Sequence, residues 1–535
     1  MNLRSRFTFP IASFALFLLL AIAHTWPLIT NPAGLSRNDT HDTVLHEWIL
    51  AWDAHAIATV PLNLFNTNTF YPERDTLAYS DHIIVQGLLG APLLWAGASP
   101  VLAYNLLLIF GLALTGWTTS LVVTEWTGHR LAGLLSGSLM AFNAMTLTRF
   151  AQIQDQYLAF FPLALWAFDR LLTTPRIKYA LHLAGWFTLE ALTCGYLLAF
   201  TSLAFVAAAV VRPSEWLGPR FRKVVPLLAL ATILALAVLT PFLLPYWRVS
   251  REQGLTRSLA EVALYSARWT DYLATGGRLH FELWSHNFFD REGLFAGVVG
   301  AVLTLVALGT GVAWRDRRAR MAVAFGLVAL AMSFGPAFPL YRLVGRLFPI
   351  MAGIRGASRF GQLYLAAVAI LAGFGLARLM TRYPRRSLAL GLALLLGAHV
   401  EALRAPISYR PFDGISPIFD ALQTTGDDTL VACFPFPGPR EAFQNVDCML
   451  ASTRFWKPLV NGYSGFIPES YMRSAAALDA FPEGDTLAYL KSLGVTHVIV
   501  FTNNLSAPRV AHLEEHPAEL ELWKADASVR IYRLR

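Results

Sequence analysis

Apolar residues fall along this chain in runs of about 20, each long enough to cross roughly 30 Å of hydrocarbon as a helix. After an opening run at 7–29, further runs lie at 101–123, 131–147, 155–172, 178–194, 196–212, 223–246, 294–313, 319–335, 359–381 and 386–404. Together they predict an all-α polytopic membrane protein of about 11 transmembrane helices. The stretch "IIVQGLLGAPLLWAG" (83–97) fits the series badly, being short and holding Pro92. As a full span it would reverse the side of every later loop. It is expected to be a re-entrant or interface helix, tolerable where protein buries it. The region 178–212 reads either as one very long helix or as two helices broken near Cys194-Gly195.

Polar chain is gathered at 31–100, 247–293 and 336–358, and in the tail from 407 onward. The tail has a pattern of its own. "TLVACFPF" and "VTHVIVF" alternate or run apolar like strands, "DTLAYLKSLG" has the period of a helix, and "ELELW…VRIYRL" reads as a closing hairpin. The expected organisation is a transmembrane domain over 1–406 and a small α/β domain over 407–535. No internal repeat is evident, which weighs against an inverted-repeat transporter.

Charge settles the orientation. Only 15% of the 535 residues are charged, against roughly a quarter in a soluble protein. The net charge of +8 does not form a stripe suited to nucleic acid. Basic residues sit instead in short loops, "RPSEWLGPRFRK" (212–223), "WRDRRAR" (314–320) and "RYPRR" (382–386), the positive-inside pattern of cytoplasmic loops. The first run exceeds a signal-peptide core, and "NPAGLS" offers no convincing cleavage site, so it reads as a retained helix with a cytoplasmic N-terminus. An odd number of spans then puts the tail outside. There Cys433 and Cys448 share an oxidising compartment and are able to pair. No CxxC suggests a metal cage.

Candidate chemistry concentrates in "RNDTHDTVLHEWILAWDAH" (37–55), which holds Asp39, His41, Asp42, His46, Glu47, Asp53 and His55. Helical spacing from Asp42 puts His46 one turn on, with Ile49 and Asp53 along the same face. The pattern predicts an amphipathic helix in the membrane interface, most of its charges on a solvated face. Asp39 and Asp42 stand at its start. Asp42 serves there as a helix cap, as a base for an acceptor hydroxyl, or, with Asp39 and His41, as a ligand of a divalent cation such as Mg²⁺ or Mn²⁺. Arg355 and Arg359 lie on the external side, against the charge rule, either to grip a lipid phosphate or to anchor anionic headgroups. Arg149 is a third cation of this kind. Tyr265, Arg268, Asp271 and His286 of the second external segment either line a cavity or pack their loop. "WKPLVNGYSGF" gathers Trp456, Tyr463 and Phe466 around Asn461, for sugar recognition or for a buried turn.

These features, in this order, resemble the GT-C superfamily of polyprenyl-phosphate-dependent membrane glycosyltransferases, of the protein O-mannosyltransferase and aminoarabinose-transferase type, and more closely bacterial polytopic members of that group. The shared words are "HDTVLHEWILAWDAHAI" (41–57), "NTNTFYPERDTLAYSDH" (66–82), "SPVLAYNLLLI" (99–109), "YSARWTDYL" (265–273), "GIRGASRF" (353–360) and "WKPLVNGYSGFIP" (456–468). The resemblance implies that an Asp in the first external loop is the base or metal ligand. It points to Asp42, with Asp39 second, and adds Asp81 and His82 of "YSDH" as cavity residues unless they cap a helix. Gln152 in "RFAQIQDQ" stands at the substrate side where a His is common in the group. Two further departures replace Pro, at Ala296 in "LFAG" and in "IRGASRF" (354–360).

The resemblance implies a glycosyltransferase moving a sugar from a polyprenyl-phosphate carrier to a cell-envelope acceptor, at the outer face of a bacterial cytoplasmic membrane. Its partners would be the lipid-linked donor and membrane lipid, with no nucleic acid. The three departures equally suit a non-catalytic scaffold or lipid-handling protein that keeps the fold without its chemistry.

Overall fold

The computed structural model describes residues 3–37, 41–290, 292–515 and 518–535, which form two compact units. One takes in 1–32, 105–242 and 256–408; the other takes in 33–104, 243–255 and 409–535.

Every apolar run read from the sequence is helical. Among the described residues, four helices are long and apolar enough to cross a membrane, at 100–127, 130–148, 218–252 and 357–382. Thr8–His24, Ile84–Trp95, Gly195–Val210 and Val298–Gly309 are apolar but shorter. The expected eleven spans are therefore not all met by length. The chain itself shortens some of them. Cys194 is extended (φ −168°, ψ 142°) and divides Ile177–Thr193 from Gly195–Val210, so this region is two helices. Gly297 and Gly311 have φ of +77° and +78°, the left-handed backbone that glycine adopts at helix ends, and they bracket Val298–Gly309.

In the first unit the helix Phe360–Arg382 is the most enclosed, burying a run of alanines and glycines. A Cβ at Gly375 would meet the Leu303 carbonyl oxygen at 2.1 Å, so the small residue permits the close approach of helices that membrane bundles favour. At Asp169 two of the basic loops meet. Its carboxylate holds the fully buried Arg212 guanidinium at 2.7 Å and that of Arg318 at 3.1 Å. Buried charges persist only when paired in this way. Glu401, near the end of helix Ser387–Ala402, accepts hydrogen bonds from His280 (3.1 Å), Val298 N–H (2.7 Å) and Val299 N–H (3.2 Å). The polar segment 247–293 is thereby closed onto that helix.

The second unit contains two helices from the first external segment, α1 (His41–Thr59) and α2 (Ile84–Trp95), together with the tail. At 12 residues α2 rises about 18 Å, too little for a span, in keeping with the re-entrant or interface reading. Strand β1 (Leu35–Ser36) pairs antiparallel with β2 (Arg410–Pro411). The larger sheet has the order β3 (Val431–Phe434), β4 (His497–Phe501), β6 (Val529–Leu534), β5 (Leu520–Ala525). Strands β3 and β4 are parallel, with Val431 opposite His497, and such a pair requires a crossover. The helices Val446–Ser452, Glu469–Ala477 and Thr486–Leu493 supply it. Strands β5 and β6 are the expected closing hairpin. A disulfide joins Cys433 in β3 to Cys448 in the first crossover helix.

Two expectations change here. The compact unit holding the tail is larger than 407–535, because chain from the first external segment is hydrogen-bonded into it. Phe70 N–H donates to Asn461 O at 3.0 Å, Tyr71 N–H to Leu459 O at 2.8 Å, and Leu459 N–H to Asn68 O at 2.7 Å. Nor does α1 have a solvated charged face. His46, Glu47 and Asp53 are 4%, 1% and 0% exposed; α2 and the crossover helix Val446–Ser452 both pack on α1, with Gly87 of α2 against Asp53.

Candidate functional site

The candidates fall into two sets, one in each unit. In the second unit the focus is the first turn of α1. Asp42 is partly buried at the second position of that helix, where its carboxylate lies by the positive end of the helix dipole. Its Oδ1 accepts a hydrogen bond from the Tyr463 hydroxyl at 3.0 Å. Its carbonyl oxygen accepts from His46 Nδ1 at 2.6 Å, and among the described residues the buried His46 Nε2 has no hydrogen-bond partner. The "NGYSGF" word thus reaches the acidic helix through its tyrosine. Asn461 of the same word packs a turn. Fully buried, it accepts from Cys433 N–H at 2.7 Å and donates to Cys433 O and to Asn445 Oδ1, both at 2.9 Å.

Asp39 lies outside the described residues. His41 is exposed, with its ring 4.4 Å from that of Phe443. Burial raises the Asp447 carboxyl above its ordinary range, and His41 opposes that rise. For the expected divalent cation, Asp42 and His41 offer two donor side chains. Among the described residues no three His, Cys, Asp or Glu side chains gather as a ligand set. Asp39, the third expected ligand, is not among the described residues, and Mg²⁺ completes its six-fold shell largely with water and substrate oxygens.

Glu47 was read only as part of a wet face. Its Oε1 accepts from the Ser36 hydroxyl at 2.9 Å, yet burial dominates and pushes the carboxyl up to about 8. Asp53 is raised well above its ordinary value by burial, and among the described residues neither carboxylate oxygen has a hydrogen-bond partner. A Cβ on Gly87 of α2 would fall 2.5 Å from Asp53 Oδ2.

His82 is also buried, its ring edge-on to Phe65 (6.1 Å) and near Tyr246 (6.0 Å). Its Nδ1 accepts from Ile84 N–H at 3.3 Å, at the start of α2. Burial lowers its imidazole to about 4, with Asp81 opposing. His82 thus stands just before α2 with its ring on the helix's first N–H, whereas Asp81 beside it is partly exposed.

The first unit gathers the cationic candidates. Arg355 lies over the Tyr265 ring at 4.9 Å and Arg359 over the Tyr196 ring at 4.4 Å. The Tyr196 hydroxyl accepts from Arg355 N–H (3.2 Å) and Gly356 N–H (3.0 Å), tying both arginines to one phenol. Arg149, close enough to Arg359 to feel its charge, is ion-paired with Asp155 and, at 3.2 Å, with Glu292. Ser358 Oγ donates to Glu292 Oε1 at 3.1 Å. Gln152 sits in the turn between Arg149 and Asp155, its N–H donating to Arg149 O at 3.0 Å. Among these side chains one guanidinium, that of Arg149, pairs with two carboxylates, while those of Arg355 and Arg359 lie over the faces of two tyrosines. Sequence reasoning missed Tyr196 and Glu292. One lies in an apolar helix and the other in a loop, so neither stands out by pattern.

No protein-family model matches the chain, and no curated protein matches it by sequence. Solved structures do. The arabinofuranosyltransferase AftD from Mycobacteria matches over 98% of this chain at 14% identity and a TM-score of 0.58, and the chain spans 40% of that protein's length. ArnT from Cupriavidus metallidurans, solved bound to undecaprenyl phosphate, matches over 99% of this chain and 98% of its own, at 12% identity and a TM-score of 0.53. The oligosaccharyltransferase AglB from Archaeoglobus fulgidus, solved with an inhibitory peptide and a dolichol-phosphate, matches over 93% of this chain and 70% of its own, at 12% identity and a TM-score of 0.52. With its apolar helices and small C-terminal sheet, the chain has the fold of the GT-C membrane glycosyltransferases.

Proposed function

We propose that this protein is a glycosyltransferase at the outer face of a bacterial cytoplasmic membrane, moving a sugar from a polyprenyl-phosphate carrier to a hydroxyl of a cell-envelope acceptor. The single observation that carries this reading is Asp42: a partly exposed carboxylate at a helix start, one oxygen held by the Tyr463 hydroxyl at 3.0 Å. A base so fixed takes the acceptor hydroxyl's proton. The acceptor oxygen then bonds to the anomeric carbon. The bond from that carbon to the carrier phosphate breaks, and its electron pair stays on the phosphate oxygen. In the first unit Arg355 and Arg359, each over a tyrosine ring, have the charge and fork geometry to hold a phosphate. The lipid phosphates bound by ArnT and AglB support this choice of carrier. In this reading the N-terminus is cytoplasmic and the tail extracytoplasmic.

The test is transfer from labelled polyprenyl-phosphate sugars by the purified protein, with Asp42→Asn in parallel. Transfer by the wild type, lost in the variant, is the expected result. A wild type that transfers to no envelope acceptor, with Asp42→Asn functional in cells, would establish the scaffold reading instead. The departures at Gln152 and Ala296, and the burial of His82, are the observations on that side.

A further inference from the structure

One cleft in the second unit takes no part in these roles. It is open, encloses about 600 Å³, and is lined in part by Gln423, Asp427, Thr453, Arg454, Trp456 and Lys457. Its volume suits a ligand of one to a few rings.

Trp456 is the unusual member. Its φ is +53°, a left-handed backbone that a bulky side chain rarely adopts, and such outliers concentrate at ligand clamps. The local contacts hold it there. Its N–H donates to Ser452 O at 2.7 Å, its ring stacks on His55 at 4.3 Å with 15° between planes, and Trp52 meets it at 5.7 Å. The ring remains partly exposed.

The charged lining is matched within the protein. Arg454 makes a two-pronged pair with Asp420, Nε at 2.7 Å and Nη2 at 2.5 Å. Lys457 Nζ donates to Thr425 O (2.9 Å) and Gly426 O (3.1 Å), with Asp427 3.8 Å away. A phosphate or an acidic polymer would find little uncompensated positive charge. What the cleft offers is an aromatic ring, a fixed planar guanidinium–carboxylate pair, the Gln423 amide and the Thr453 hydroxyl. A saccharide matches that set, with C–H faces for the ring and many hydroxyls for the planar polar groups.

We propose that this cleft binds a neutral saccharide, one sugar packing on Trp456 and its hydroxyls bonding the Arg454–Asp420 pair and Gln423. Such a site would hold a glycan through the tail, and its occupancy does not depend on any transfer reaction. If the transfer reading also holds, the glycan is the acceptor class.

Calorimetric titration of the full-length protein in detergent tests this, with neutral mannan and arabinan oligosaccharides as probes and a sulfated oligosaccharide as control. The expected result is binding of a neutral probe, weakened about tenfold or more by Trp456→Ala. Since Trp456→Ala also removes contacts to His55 and Trp52, Gln423→Ala and Arg454→Ala provide variants at exposed polar positions and should each weaken binding. Failure of every neutral probe to bind the wild type, preference for the sulfated probe, or equal binding by all three cleft variants would overturn the proposal. Binding without any transfer activity would sustain it while removing the enzyme reading.

Discussion

Tyr463 donates its phenolic hydrogen to Asp42 across 421 residues of sequence, at 3.0 Å. A residue of the tail thus fixes the carboxylate that leads the candidate chemistry. An acid at a helix start is common; one whose oxygen is fixed from a distant segment has its direction set as well as its charge. A base works when its lone pair is aimed at the proton it removes. Tyr463→Phe keeps the ring and removes only that donor. We expect it to lower kcat about 10- to 100-fold with little change in the KM for the donor, read by transfer kinetics. Asp42→Asn should cost more than Tyr463→Phe, and the double variant should be no worse than Asp42→Asn alone. Additive losses would mean that the two side chains do not act as a unit.

The arginines should separate into two behaviours. Arg355 and Arg359 rest on tyrosine faces, whereas Arg149 neutralises Asp155 and Glu292. Replacing Arg355 or Arg359 by Ala should raise the donor KM about tenfold with little loss of thermal stability. Lys in either place should rescue only partly, since it lacks the planar fork. Arg149→Ala should instead lower Tm, because it leaves the buried Asp155 and the partly buried Glu292 carboxylates without that guanidinium. Thermal unfolding beside donor kinetics distinguishes the two. An Arg149→Ala protein of unchanged Tm would contradict the structural role.

Helix packing can be tested at Gly87. The Cβ of Gly87→Ala would fall 2.5 Å from Asp53 Oδ2 and 2.6 Å from Asp53 Cβ, far inside contact distance. The indole of Trp95 fixes the same pair of helices by donating to Ala54 O at 2.9 Å. Neither α1 nor α2 has room to yield without shifting that contact. The expected loss is about 1–3 kcal/mol, read as a lower Tm. Adding Asp53→Ala to Gly87→Ala should recover part of it.

Much of this was visible in the sequence, for reasons that also mark where sequence reading stops. Apolar runs of membrane length announce helices because the bilayer imposes that length, and each run proved helical. The tail's alternation announced β3 to β6 in the same way. What failed was the inside and outside of α1. Its spacing suggested a polar face, but Glu47 and Asp53 are buried, one against Ser36 and the other against Gly87, and no periodicity within 41–59 records those neighbours. His82 misled similarly: a motif residue beside a helix start turned out to be enclosed by Phe65 and Tyr246. Asp42 was legible as a candidate, whereas its bond to Tyr463 depended on a tertiary contact.

Glu47 yields a prediction about pH. Burial raises its carboxyl from an ordinary 4.5 to about 8, the Ser36 hydrogen bond opposing. Between those values the folded state holds a proton that the unfolded chain has released. The folded protein binds more protons there, so stability falls as pH rises. The contribution of Glu47 is complete below 4.5 and lost as pH climbs through about 8. Asp53 shifts in the same direction and adds to the trend. Glu47→Gln retains an oxygen for the Ser36 hydroxyl and cannot ionise. Its Tm should therefore match that of the wild type under acid conditions and exceed it by several degrees near pH 8, on the order of 4 °C per kcal/mol or less for a chain of this size. Parallel Tm profiles across the whole range would show that Glu47 does not titrate as a buried acid.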